Sequence, residues 1–224
     1  MRTITENFNI ILDGQKSMGY DYYSILNSPA DSTDIRTIED RLRITFSNEL
    51  KEVYSLANGT ISGSHISKAI GLFPSYDFIN LDDAAYVYSL YENDFTLTDP
   101  LDGGTFTMHN YDYTETFTPQ RNMFPIFADG CGDYYWVDLN ENTKHYGQVY
   151  YTFNGDGADY AFTSLIAMFQ TIAECYESNV FFFGNGMNPQ TGYRPLTQDD
   201  EKWKMIVKRN NPELNFWDDY INSK

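Results

Sequence analysis

Two cysteines in 224 residues are too few for a disulfide framework, and Cys131 and Cys175 lie too far apart for a Cys-x-x-Cys metal knuckle. Both read as free thiols. Basic residues are scarce as well: 15 Lys and Arg stand against 32 Asp and Glu, giving a formal charge of -17 and a pI near 4.3. Such a surface repels phosphate backbones and anionic lipid, which argues against direct nucleic-acid or membrane binding. A basic partner would be attracted, although acidity can also serve solubility alone. No apolar run approaches the ~20 residues of a membrane span, and Met1 to Asn9 holds no apolar stretch of signal-peptide length. The expected location is the cytoplasm.

Signs of catalysis are equally sparse. There is no Gly-x-Ser-x-Gly elbow and no Walker loop, and Gly130-Cys131-Gly132 lacks the third glycine and helix start of a dinucleotide fingerprint. His65, His109 and His145 are scattered, so neither a zinc site nor a base for a Cys131 nucleophile can be placed. Asp138-Leu139-Asn140-Glu141-Asn142 begins like a calcium loop, but Thr143 stands at the required glycine and Val149 at the bidentate glutamate. The Asn154 to Asp159 segment fails likewise, with Leu165 at the last ligand position. The reading is therefore no catalytic residue, no cofactor and no metal. An enzyme acting on carbohydrate is the competing class, since 19 Tyr, 16 Phe and 3 Trp could line a sugar cleft. It would need a carboxyl pair roughly 5 to 9.5 Å apart, and no pair stands out among so many acids.

What is present fits one domain. A 42% hydrophobic share with 17% aromatics can bury a sizeable core in a chain of this length. Ile35, Ile38 and Leu42 follow the start signal Asp31-Ser32, and Leu50, Val53, Tyr54 and Ala57 follow Ser47, predicting two helices. Asn58-Gly59 stops the second, with Gly59 expected at positive φ. Ile70 to Pro74 suggests a short strand, and Asp82-Asp83 a cap for a helix carrying Ala84, Ala85 and Tyr88.

Residues 92–121 read as a polar insertion with room for a hairpin. Strands are expected at about 124–128, 134–139 and 147–153, the last ended by Asn154-Gly155-Asp156-Gly157. Ser164 then caps a helix bearing Leu165, Met168, Phe169, Ile172 and Cys175 on one face, and Thr197 to Asp200 has the form of a capping box before Trp203, Ile206 and Val207. The predicted fold class is α+β: a central antiparallel-rich mixed sheet with flanking helices in a single domain. Its core spans about residues 35–177, with a helical extension over 178–224.

In order and spacing, several segments resemble the SUKH superfamily, particularly its Smi/Knr-like branch. They are Ile38-Glu39-Asp40-Arg41-Leu42, Phe46 through Val53-Tyr54-Ser55-Leu56-Ala57-Asn58-Gly59, Phe124-Pro125-Ile126 with Asp129-Gly130-Cys131-Gly132-Asp133, Gly147-Gln148-Val149-Tyr150, and the helix Ser164 to Ile172. The chain departs from the family pattern at Phe46-Ser47, where Leu-Pro is usual, and at Leu165, where Phe is usual. The resemblance implies binding rather than catalysis. Bacterial members look like antidotes to polymorphic toxins, many of them nucleases, while fungal members regulate cell-wall glucan synthesis. An acidic chain suits the first role, because nuclease surfaces that hold a polyanion are often basic. A scaffold for cell-wall synthesis remains the alternative.

The partner-binding candidates lie in two turns. Asp129, Asp133, Tyr134 and Tyr135 combine aromatic anchors with charge, as binding hot spots do, and Asp156 and Asp159 in the next strand-to-strand connection can share their edge. The same residues also read as a plain tight turn whose aromatics belong to the core.

Overall fold

Helix starts in this chain are fixed by side chains that accept from otherwise unpaired amides. The computed structural model describes residues 2–61, 71–92, 96–98, 105–107, 122–153, 157–185, 194–215 and 217. α1 (Ile4–Ser17) opens with a capping box between Thr3 and Glu6, and α2 (Ser32–Leu42) repeats it with Asp31 and Asp34. A 3-10 turn, Tyr22–Ile25, lies between them. α3 (Asn48–Leu56) starts at Ser47, whose hydroxyl accepts from the Leu50 amide at 3.2 Å. Helices α2 and α3 bury the apolar faces expected of them.

Apolar periodicity does not announce α1. Its inward face, Ile4, Phe8 and Ile11, also carries the buried polar residues Asn7 and Gln15, which dilute the apolar period. The Thr3-x-x-Glu6 pattern is the signal that could have found it. Gly14 lets this helix approach closely: a Cβ there would lie 2.8 Å from Tyr176.

β1 (Asp77–Phe78) precedes α4 (Leu81–Glu92). Asp82 and Asp83 occupy the first turn of α4 rather than its cap, because Asn80 Oδ1 accepts from the Asp83 amide at 2.9 Å. Of the strand expected over residues 70–74, residue 70 lies outside the described residues and residues 71–74 form a turn. Phe73 bridges to Tyr76 across Ser75 at φ 71°, so Leu72 and Phe73 reach the core from a loop. In the polar insertion, β2 (Thr96–Thr98) and β3 (Thr105–Thr107) form an antiparallel hairpin.

The main sheet adds β4 (Met123–Ala128), β5 (Tyr134–Asp138), β6 (Val149–Phe153) and β7 (Gly157–Phe162), in the order β1-β4-β5-β6-β7 with every neighbour antiparallel. Strand β7 stands where the sequence suggests a connection; glycine and aspartate in Gly157-Ala158-Asp159 conceal it. A bulge between Pro125 and Phe127 allows Phe124, Ile126 and Phe127 all to be fully buried in the main core.

α5 (Leu165–Glu177) crosses the inner face from its cap Ser164, packing its Phe169 ring against Phe8 and Phe127. Glu49 of α3 accepts from the Ile166 amide, and burial raises its carboxyl pKa. Beyond α5, β8 (Phe181–Phe183) pairs with β9 (Leu196–Gln198), and α6 (Asp200–Asn210) packs against α5. The cap of α6 is Asp199, since Thr197 is taken into β9. On the outer face of the sheet, Met123, Trp136, Tyr150 and Tyr160 form a second cluster, joined by Val87, Tyr134 and Leu214.

Gly59 has the expected positive φ, 65°, for a different reason. The cap of α3, Ala57, is extended, and Gly59 lies where a Cβ would come 2.3 Å from the Asn80 amide nitrogen. Gly130 has φ 79° with nothing within 4 Å of a Cβ. Chemical denaturation should separate the two: Gly130→Ala costs about 1 kcal/mol for the left-handed backbone, whereas Gly59→Ala costs clearly more because backbone must also move. Equal losses would remove the close-approach argument.

Candidate functional site

The antiparallel ladder gathers the candidate residues at one end of the sheet. Tyr134 pairs with Ala128 and Thr152, Thr152 pairs with Ala158, and Asp77 joins the row opposite Ala128. The 129–133 turn, the end of β6 and the start of β7 therefore share that end. Asp156 lies outside the described residues. Asp159 is not in a connection but in β7, directly opposite Tyr151.

The turn is held from within. Asp129 Oδ1 accepts from the amides of Cys131 at 2.7 Å and Asp133 at 2.9 Å, while the Asp129 amide donates to the Asp133 carbonyl. Gly130 and Gly132 supply the positive φ values that bring those amides around, and Cys131 is left exposed. Asp129 thus has a turn-forming role beside its charge.

Strand alternation divides the remaining candidates between two faces. Tyr134 is half-buried on the outer face, its ring centroid 5.2 Å from that of Trp136. Tyr135 points inward, only 5% exposed, among Phe73, Tyr76, Tyr151 and Phe162. Asp133 is 9% exposed. Asp159 is half-buried, and its Oδ1 accepts from the Tyr160 amide at 2.7 Å.

Two residues not singled out in the sequence belong with this group. Tyr76 and Tyr151 are both half-buried, and the Tyr76 hydroxyl donates to that of Tyr151 at 3.0 Å. Their rings flank Tyr135, each at a centroid distance of 4.8 Å. Burial first, then the neighbouring tyrosines and the Asp133 charge, push the Tyr76 phenol well above its ordinary pKa, so it stays a neutral donor. Alternation within β6 could have placed Tyr151 beside Tyr135. Tyr76 arrives through the 73–76 turn, which periodicity does not report.

The opposite end of the sheet explains the calcium-like pattern. Asp138 is 3% exposed and accepts from the Tyr160 hydroxyl at 2.8 Å and the Asn140 amide at 2.8 Å, and Asn140 Oδ1 accepts in turn from the Asn142 amide. The spaced acidic and amide side chains build a loop out of their own backbone. His145 stacks on Tyr160 with centroids 4.0 Å apart, placing it at the far end of β5 from Cys131. His65 and His109 lie outside the described residues. Cys175 is buried, and desolvation raises its thiol pKa. Among the described residues, no helix is long and apolar enough to cross a membrane.

The fold defines a single α+β domain, an antiparallel sheet with helices packed on its inner face. A family model described as SMI1 / KNR4 family (SUKH-1) matches residues 29–178, and the chain belongs to that family. Its members are generally non-catalytic and are associated with binding toxin partners. No curated protein matches the chain closely enough to narrow this further.

The two roles of Asp129 can be separated. Asn keeps an oxygen that can accept from the Cys131 and Asp133 amides, whereas Ala removes it. Asp129→Ala should speed hydrogen exchange at both amides and cost about 1 kcal/mol, while Asp129→Asn should leave exchange nearly unchanged. Fast exchange in the Asn variant would mean that the turn depends on the charge itself.

Proposed function

We propose that this protein is a non-catalytic binding module that neutralises a cognate toxin domain, acting as a bacterial immunity protein. The observation that carries this reading is the convergence of Asp129, Asp133 and Asp159 with Tyr134 at one end of a five-stranded sheet whose strands contain no Lys or Arg. Carboxylates beside half-buried aromatic rings suit a basic protein surface, such as that of a nuclease. The charges accelerate encounter, and the rings supply contact area after it. Family membership supports the binding role in general.

Association with a toxin domain encoded beside this protein's gene is the direct test. The on-rate should fall steeply as salt shortens the Debye length from ~10 Å at 0.1 M to ~3 Å at 1 M, and Asp129→Asn combined with Asp159→Asn should slow association more than it speeds dissociation. A salt-independent on-rate would sink the steering mechanism. If no such toxin forms a complex, the immunity reading fails.

A further inference from the structure

Strand β7 ends the main sheet, and among the described residues its strand partner is β6 alone. An edge strand offers unpaired backbone groups to any other strand, and folded chains avoid such pairing by keeping edges short or covered. At the opposite edge β1 is only two residues long. At β7 the cover is built from side chains. The Tyr160 amide donates to Asp159 Oδ1 at 2.7 Å, the Ala161 carbonyl accepts from Trp217 Nε1 at 2.6 Å, and the Thr163 amide donates to Asn211 Oδ1 at 2.9 Å. Ala161 depends on such a partner, because Tyr160 and Phe162 face consecutive residues of β6 and leave it outside the register.

Two of these caps come from the chain that follows α6. Asn211 is fully buried and fixed in turn, its Nδ2 donating to the Val207 carbonyl at 3.0 Å. Leu214 packs with the outer cluster of Trp136, Tyr150 and Tyr160, whereas Trp217 packs in the main core against Phe162 and Trp203. Asn211, Leu214 and Trp217 thus hold both faces of β7 and its backbone edge. All three lie beyond residues 29–178, the stretch that the family model matches. We infer that this C-terminal segment is an edge guard, which denies β7 to the same strand of a second copy and so keeps the protein from associating edge to edge. A second copy is the partner excluded because an antiparallel edge is self-complementary: two chains related by a two-fold axis can pair β7 with β7. This role is independent of toxin binding.

Sedimentation of the full-length protein and of its Trp217→Ala variant, over a range of concentrations, reads this directly. Salt at about 0.5 M keeps repulsion between chains of charge -17 from hiding the outcome. The unaltered protein should stay monomeric, whereas Trp217→Ala should dimerise reversibly with a dissociation constant roughly tenfold lower or better, the scale of one good hydrogen bond. Hydrogen exchange over residues 157–163 should slow as that variant is concentrated, because the freed edge becomes paired. If circular dichroism shows that Trp217→Ala does not fold, Trp217→Phe takes its place: a ring still packs on Phe162 and Trp203 but cannot donate to the Ala161 carbonyl. A folded variant no more associated than the unaltered protein would overturn the edge guard. So would association whose protection falls outside residues 157–163, or pairing through β7 in the unaltered protein.

Discussion

Strand β4 is the member on which the other elements depend, through the rings of Phe124 and Phe127. Phe124 touches Phe46, Tyr54 and Tyr88, tying α3 and α4 to the sheet; Phe127 touches Phe73, Phe78 and Phe169, tying in the 73–76 turn, β1 and α5. Each fully buried ring contributes roughly 1.5 to 3 kcal/mol from apolar area alone. Strict alternation would turn one of the two away, so the bulge after Pro125 is what allows a single strand to serve both groups. Truncating either ring would leave a cavity bordered by at least three elements.

From that anchor the turn end of the sheet follows. The pairing of β4 with β5 sets where the chain must reverse, and Asp129 with its two glycine neighbours makes the reversal tight. The short β1 brings Tyr76 to the same place, because Asp77 and Phe78 pair with Ala128 and Phe127. Polar residues thus gather at a rim whose position is set by apolar contacts several residues away. Such a division of labour allows a polar rim to be rigid without itself being a source of stability.

Legibility in the sequence follows how local the determining interaction is. The caps Asp31, Ser47 and Ser164 act within one turn of their helices, and all three stand where their residue types suggest. Failures come where tertiary contacts decide. Asn7 and Gln15 interrupt the buried stripe of α1, where Gln15 Nε2 donates to the carbonyls of Gly71 and Leu72 and to the Tyr176 hydroxyl. Leu72 and Phe73 look like strand residues because they are buried, yet they belong to a turn. For the site, residue type identifies the reversal and its acids, but which ring faces solvent depends on register. Without the ladder, Tyr135 looks as available as Tyr151.

Cys131 illustrates what such a turn permits. Its side chain is exposed, its amide is held by Asp129, and the glycines on either side take up the bend. Identity at this position is thus decoupled from the hydrophobic interior, and many residue types could stand there at little cost to folding. The tip can therefore change its chemistry while the scaffold beneath it is inherited unchanged.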